Sequence, residues 1–296
     1  MIPTNVFKNV FAEDLRELLK DKVTKILDYK TTKIFKNVLT SSSIIICDLD
    51  RNKTNIEYYD VSKNKYLSIE KESLGKKWIF SENKEKDKVL FSDYFLAATS
   101  VATLLNDAFV IKEYEIREEY FYVENMPIEK EIIRPAASPR ALSKGIKEFI
   151  IFPYKYVDGK LKRYEAEEMY NRYPCAYKYL EKFKDKLNLR NSDTNSKWFE
   201  YGRSQALDNL NQEKLLMSFI ITNKVNVYEL GVNYIPYSGI YIVPKSSLSL
   251  SVAKEILESD EFLKYINDIG IYVNGSSLRI TANDIKKFDI SKWRET

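Results

Sequence analysis

The spacing of apolar and polar residues divides the first part of the chain into predictable helices and strands. Apolar residues recur at helical spacing over 11–21, which predicts a helix. The segments 23–29 and 42–49 predict strands, and the second is a nearly continuous apolar run of the kind found inside an α/β sheet. The segments 55–61 and 65–71 alternate in polarity on either side of a short polar stretch and predict a β-hairpin.

A charge run follows this first part. Residues 83–88 contain only Asn, Lys, Glu and Asp, so we expect a linker there between two domains, at 1–82 and 89–296. Beyond it, the segment 173–190 has the spacing of an amphipathic helix rich in Lys and Arg. The pattern predicts an α/β layer before this linker.

The composition limits the cellular setting. No run of 18 apolar residues occurs, so we expect no membrane-spanning segment and no membrane partner. The only cysteines, Cys47 and Cys175, lie far apart and fit free thiols in a reducing cytoplasm better than a disulfide. We therefore expect a cytoplasmic protein.

Several kinds of chemistry lack their residues in this sequence. There is no histidine, which excludes Ser-His-Asp and Cys-His catalysis and removes the usual zinc ligands. The eight glycines form no phosphate- or dinucleotide-binding loop. We expect no catalytic residue, no cofactor site and no metal site in this chain.

Positive charge is concentrated in one segment. Residues 134–224 hold 18 Lys/Arg against 11 Asp/Glu, a balance of +7 within a chain of net charge +4. Such an excess suits a polyanionic partner. A lysine-rich composition that arose by drift would look similar, so charge alone leaves the partner open.

The segment 198–205 brings stacking and hydrogen-bonding side chains together. It contains Trp198, Phe199, Tyr201, Arg203, Ser204 and Gln205. Flat rings beside a guanidinium and a carboxamide suit the reading of base edges and the holding of phosphates. The alternative interpretation is a surface helix and a glycine-containing loop whose aromatic residues belong to the core.

The order of these residues resembles the target-recognition domain of TaqI-type and type IIG adenine-specific DNA methyltransferases. In that family a Tyr-Pro helix ending in Arg precedes a W-[FY]-x-[FYL]-G-R-[ST]-Q block, here Tyr173-Pro174 to Arg190 and Trp198 to Gln205. The resemblance extends to Ile2-Pro3 and the 15–19 helix, which are similar to the end of the family's catalytic domain. It also covers 99–111, where Ser100 and Leu105 stand at positions usually occupied by glycine.

The resemblance implies a fold and a function. It implies the last strands of a doubly wound methyltransferase domain followed by an α+β target-recognition domain. It also implies double-stranded DNA as a partner. The S-adenosylmethionine loop and the [ND]-P-P-[YF] loop are absent, so S-adenosylmethionine is expected on a catalytic subunit or a missing N-terminal half.

The candidate DNA contacts follow from side-chain chemistry. Arg203 and Gln205 suit bidentate contacts to guanine and adenine respectively. Phosphates or base edges are the expected partners of Ser204, Thr103 and Asn106. A sugar or a base could stack on Tyr201, and Tyr237 is expected either to face DNA or to pack. Contacts that clamp the DNA phosphate backbone are expected from Arg134, Arg140, Lys144 and Arg190.

Three functions remain open at this point. The first is a sequence-specific DNA-binding module of an N6-adenine methyltransferase or restriction–modification system. The second is one half of a split methyltransferase that is active only with its partner. The third is a protein-interaction module with a tyrosine-rich surface, whose binding would not respond to salt.

Overall fold

A computed structural model describes residues 1–30, 32, 34–35, 40–49, 53–80, 88–273 and 276–293. The predicted linker at 83–88 lies outside the described residues except for Lys88. The described strands, in chain order, are β1 (Ile2–Pro3), β2 (Val23–Lys30), β3 (Ser42–Cys47), β4 (Asn55–Asp60), β5 (Lys65–Glu70), β6 (Phe95–Thr99), β7 (Val110–Ile111), β8 (Glu115–Arg117), β9 (Tyr120–Val123), β10 (Met126–Glu129), β11 (Ile133–Ala137), β12 (Glu148–Ile151), β13 (Tyr154–Val157), β14 (Lys160–Arg163), β15 (Lys214–Met217), β16 (Ile220–Ile221), β17 (Val227–Leu230), β18 (Ile235–Pro236), β19 (Ile240–Pro244), β20 (Ile271–Val273) and β21 (Ser277–Arg279). The described α-helices are α1 (Glu13–Lys20), α2 (Phe91–Tyr94), α3 (Asn106–Phe109), α4 (Pro139–Ser143), α5 (Ala166–Arg172), α6 (Pro174–Glu181), α7 (Lys184–Asn188), α8 (Leu250–Glu258), α9 (Asp260–Ile269) and α10 (Ala282–Lys286).

The chain divides into two compact units. Unit 1 consists of Met1–Phe91, Phe219–Val225 and Glu255–Thr296, and unit 2 consists of Ser92–Ser218 and Asn226–Lys254. The sequence-based division places 219–225 and 255–296 in the second domain, whereas the structure groups both segments with the start of the chain. No described helix has the length and apolar character needed to cross a bilayer.

Unit 1 is built on a mixed five-stranded sheet in the order β1-β3-β2-β4-β5. β2 and β4 run parallel, and the other neighbouring pairs are antiparallel. Buried apolar residues of β2, β4 and β5 form a core with aromatic rings; these residues are Val23, Ile26, Ile56 and Ile69, and the rings are those of Phe7, Tyr58 and Trp78. The strands and the β4–β5 hairpin therefore occur where the sequence predicts them.

Helix α1 presents its apolar stripe outward. Leu15 and Leu18 of α1 are exposed, as is Phe11 in the 3-10 turn before the helix, with Phe11 98% and Leu18 74% accessible. Of the predicted apolar positions, only Leu19 reaches the core. The buried side of the helix carries Arg16, which donates three hydrogen bonds of 2.7 Å to backbone carbonyls of unit 1. Three of the five guanidinium N–H donors are thereby hydrogen-bonded, which allows the helix to dock with Arg16 inward while Asp14 and Glu17 stay exposed.

Unit 2 contains several small sheets around one large core. Two sheets have four strands, in the orders β17-β15-β19-β6 and β18-β11-β12-β7, and a third has the order β10-β9-β8. The β13–β14 hairpin forms a separate two-stranded sheet. The predicted helix over 173–190 is two helices, because α6 ends at Glu181 and α7 begins at Lys184.

A buried lysine lies at the start of β15, in the sheet with the order β17-β15-β19-β6. Lys214 of β15 is fully inaccessible, and its Nζ donates hydrogen bonds of 3.0 Å to the carbonyls of Gly231, Val232 and Tyr234. Burial lowers the pKa of Lys214 to about 8. The three carbonyls satisfy all three ammonium donors, which makes a buried lysine tolerable at this position.

Candidate nucleic-acid interface

The loop that follows α7 is organised by one arginine. Arg190 donates hydrogen bonds to the carbonyls of Leu187 (2.9 Å), Trp198 (2.8 Å) and Glu200 (2.9 Å), and a further one to the carbonyl of Thr103. Four carbonyls from three chain segments therefore converge on one guanidinium. Arg190 was expected to clamp DNA phosphates, but in this structure its donors hold the loop together.

A second arginine holds the end of the same loop. Arg203 Nη1 lies 3.0 Å from Asp193 Oδ1, and the backbone N–H of Ser204 donates to Asp193 Oδ2 at 3.3 Å. The backbone of Arg203 also donates to the carbonyl of Ala102 at 2.9 Å, and Asp193 N donates to the carbonyl of Gly202 at 2.9 Å. The Arg203 side chain remains 41% accessible, so part of its guanidinium still faces outward while Asp193 fixes its direction.

The loop at 103–105 contacts the 191–205 loop and contains a residue with positive φ. Leu104 adopts the left-handed conformation at φ 58°, whereas Leu105, expected at a position usually held by glycine, is extended at φ −160°. The residue that takes a glycine-like conformation is thus Leu104. A Cβ added to Gly202 would lie 2.4 Å from the Leu104 side chain, so this glycine is required by close packing.

Two of the predicted contact residues face inward. Tyr201 is fully buried, its hydroxyl donates to the carbonyl of Ile151 at 2.7 Å, and its N–H donates to the Tyr154 hydroxyl at 2.8 Å. Burial raises the pKa of Tyr201 well above its ordinary value. Thr103 is also buried and donates its hydroxyl to Asn106 Oδ1 at 2.6 Å. The expectation that Tyr201 and Thr103 face DNA is therefore corrected, because both side chains are enclosed and hydrogen-bonded within unit 2.

The remaining predicted residues differ in how far they reach solvent. Gln205 is exposed, and its side chain makes no hydrogen bond to the described residues. Arg140 on α4 and Lys144 just after it are exposed, as is Asn106. Arg134 is half-buried, with its guanidinium 5.9 Å from the centre of the Phe152 ring.

Tyr237 takes part in a separate polar cluster. Its hydroxyl donates to Glu148 Oε2 at 2.6 Å, and the Ser138 hydroxyl reaches the same oxygen at 3.2 Å. Burial, together with the hydrogen bond to Glu148, raises the pKa of Tyr237 to about 12. The ring is half-buried and its hydroxyl is used internally, so Tyr237 supports the end of the sheet beside α4.

A buried carboxylate lies beneath the loop. Glu200 is fully inaccessible; its Oε2 accepts from the N–H of Lys197 at 3.1 Å and lies 3.4 Å from Arg163 Nη1, while its Oε1 has no partner among the described residues. Burial raises the pKa of Glu200. The interior of the loop is therefore polar, and its shape depends on a small number of charged contacts.

The β13–β14 hairpin is a part of this site that was not among the sequence-based candidates. Arg163 at its base donates to Ser204 Oγ at 3.2 Å and to the carbonyl of Asn195 at 2.8 Å, which joins the hairpin to the 191–205 loop. An Asp158-Gly159 pair between two alternating segments is a strong hairpin signal that reading for this pattern would have found. The structure thus brings together Arg190, Arg203, Ser204 and the hairpin, while Arg140, Lys144 and Tyr237 lie on or beside α4.

The chain is similar to type II restriction–modification methyltransferases. It is 24% identical over 266 residues to the restriction enzyme and methyltransferase RM.Eco57I of Escherichia coli, which covers 75% of this chain and 27% of that protein. It is 24% identical over 183 residues to the methyltransferase M.MjaIV of Methanocaldococcus jannaschii, which covers 60% of this chain and 58% of that protein. The chain therefore spans about a quarter of one relative and less than two thirds of the other.

The fold is also similar to a solved restriction–modification enzyme. The type IIL enzyme MmeI, determined in complex with DNA, superposes with a TM-score of 0.51 over 94% of this chain and 37% of its own, at 13% identity. No protein-family profile matches the chain. This likeness shows a shared mixed α/β fold with several sheets.

Proposed function

We propose that this chain is the DNA-recognition part of a type II restriction–modification system that methylates adenine N6. The observation that carries the proposal is the fixed shape of the 191–205 loop. Arg190 and Asp193 hold it in one shape, and it ends in a directed Arg203 and an exposed Gln205. Fixed loops that present a guanidinium and a carboxamide are suited to reading base edges without paying for ordering on binding.

The proposal assigns different roles to the predicted residues. Arg203, oriented by Asp193, and Gln205 contact base edges in the major groove, and the exposed Asn106 lies at the start of α3. Arg140 and Lys144 contact phosphates, which positions the protein without reading sequence. Arg190, Thr103, Tyr201 and Tyr237 shape the surface from inside.

The proposal also includes a catalytic partner. The match covers only about a quarter of RM.Eco57I, and S-adenosylmethionine would bind to a methyltransferase catalytic domain that is a separate subunit or a further part of the protein. The exposed apolar residues of α1 and the edge strand β1 each support such a contact, because both are surfaces that a packed domain would cover. On this proposal unit 1 supplies the last strands of the catalytic domain, and the complex works in the cytoplasm.

A salt titration of DNA binding tests the proposal. Binding of the purified chain to a fluorescent duplex is measured by anisotropy between 50 and 300 mM salt, a range set by the expected steep dependence. We expect affinity to fall linearly on a log–log plot, because lysines and arginines displace condensed counterions. Undetectable binding at low salt, or binding that is independent of salt, would contradict the proposal and favour a protein-interaction module.

A further inference from the structure

The two faces of the β13–β14 hairpin have different chemistry. The register pairs Tyr154 with Arg163, Lys155 with Lys162, Tyr156 with Leu161 and Val157 with Lys160. Side chains of directly paired residues share a face, and the face alternates along each strand. Tyr154, Tyr156, Leu161 and Arg163 therefore form the inner face, and the outer face consists of Lys155, Val157, Lys160 and Lys162.

The inner face fixes the hairpin to the rest of unit 2. The Tyr156 hydroxyl donates to the carbonyl of Leu207 at 2.7 Å, and the Tyr154 ring packs edge-on against Tyr201 with 5.3 Å between centroids. Arg163 binds the 191–205 loop through Ser204 Oγ. These contacts hold the ribbon in a defined position next to the residues proposed to read bases.

The outer face carries an unusual concentration of positive charge. Lys155 and Lys162 are directly opposite each other, an arrangement in which like charges destabilise a strand pair. Lys155 is paired with Glu168, but Lys160 and Lys162 are exposed and form no ion pair with the described residues. An anionic partner would therefore neutralise two lysines, Lys160 and Lys162, whose charge the described residues do not compensate.

The turn keeps this ribbon regular up to its tip. Asp158 and Gly159 both have positive φ, 51° and 75°, as in the two-residue turns whose twist matches that of the flanking strands. A two-stranded ribbon of this kind fits the major groove of B-DNA, which is about 12 Å wide. The shape and charge of the hairpin therefore point to the same type of surface.

We propose that the outer face of the β13–β14 hairpin is a DNA-backbone contact in which Lys160 and Lys162 bind phosphates along the major groove. This inference rests on the proposed function and extends it to a surface outside the 191–205 loop. The hairpin positions the protein on the duplex, and the loop beside it reads the bases. The contact is independent of base sequence, because lysine binds phosphate as a point charge.

Charge-matched variants test the inference on the full chain. The double variant Lys160→Gln/Lys162→Gln is compared with the control Lys112→Gln/Lys178→Gln, which removes the same charge from exposed lysines elsewhere in unit 2. Each lost phosphate contact reduces the magnitude of the slope of log K against log salt concentration by about 0.9. The hairpin variant should therefore have a slope smaller by about 2 and bind all duplexes more weakly. The control should keep the wild-type slope.

Two further measurements separate the possible outcomes. Lys160→Arg/Lys162→Arg should keep the wild-type slope, because the charge is retained. The melting temperature of Lys160→Gln/Lys162→Gln should not fall, because like-charge repulsion is removed. A hairpin variant with the wild-type or the control slope overturns this inference and leaves the proposed function standing. A wild-type chain that does not bind DNA overturns both.

Discussion

The ion pair between Arg203 and Asp193 is the most direct structural expectation to test. Asp193 accepts from the Arg203 guanidinium and from the backbone N–H of Ser204, so its carboxylate joins two parts of the loop. We consider Arg203→Ala, Asp193→Ala and the double variant. The Asp193 change removes both contacts and the Arg203 change removes one, which predicts unequal losses of stability.

The expected magnitudes are modest because the pair is only partly enclosed. The side chains of Arg203 and Asp193 are 41% and 27% accessible, so solvent screens their attraction. We expect Arg203→Ala to lower the free energy of unfolding by about 0.5–1 kcal/mol. Asp193→Ala should cost about 1 kcal/mol more, because a partly buried backbone donor also loses its acceptor.

Urea unfolding of the four proteins measures the coupling. The double variant should be about as stable as Asp193→Ala alone, which gives a coupling energy of about 0.5–1 kcal/mol. Arg140→Ala, on the exposed face of α4, serves as a control and should change stability by less than about 0.5 kcal/mol. A coupling energy of zero, or equal losses for the two single variants, would refute the view that Asp193 orients Arg203.

The remaining predictions concern the core, the pH dependence and the surface of unit 1. Gly202→Ala should destabilise unit 2, because the added Cβ would meet the Leu104 side chain at 2.4 Å. Adding Leu104→Gly should restore stability, because it opens that space and glycine suits the φ of 58° at position 104. Melting curves of the single and double variants check this, and a double variant no more stable than Gly202→Ala would contradict it. Burial lowers the pKa of Lys214 to about 8, so between pH 8 and about 10 the unfolded chain binds a proton that the folded chain lacks, and the free energy of unfolding should rise with pH. Lys214→Met should reduce this rise and lower stability at pH 7, where three carbonyls lose their donor; an unchanged pH profile would show that the ammonium titrates normally. Phe11→Ser/Leu18→Gln should leave the melting temperature unchanged and reduce self-association in light scattering, because both side chains are exposed. A clear loss of stability would mean that these side chains are packed against the rest of the protein.

The sequence predicts local elements of this protein better than it predicts which side chains face inward. The strands at 23–29 and 42–49 and the hairpin at 55–71 occur as expected, because alternation and β-branched runs carry their own information. Helix α1 is also present, but its apolar stripe faces outward. That orientation depends on the backbone carbonyls that accept from Arg16, and one of them, that of Lys76, is 60 residues away in the chain.

The candidate site shows the same limit. The clustering of Trp198 to Gln205 is evident in the sequence, yet Tyr201 is buried and Gln205 is exposed only four residues later. Arg190 and Arg203 look alike as possible DNA contacts. Their separation depends on the carbonyls and the carboxylate that tertiary folding places beside each guanidinium. Long-range pairing, such as that of 255–296 with the start of the chain, is likewise decided by packing across the whole sequence.

Selection of bound duplexes from a randomised pool tests the central claim most directly. Sequencing of the DNA retained by the wild-type chain should reveal one enriched motif. Gln205→Ala should relax the preference at an adenine position and leave the rest of the motif unchanged, because a carboxamide reads adenine N6 and N7. A retained pool with the same base frequencies as the input at every position would contradict sequence-specific recognition by this protein.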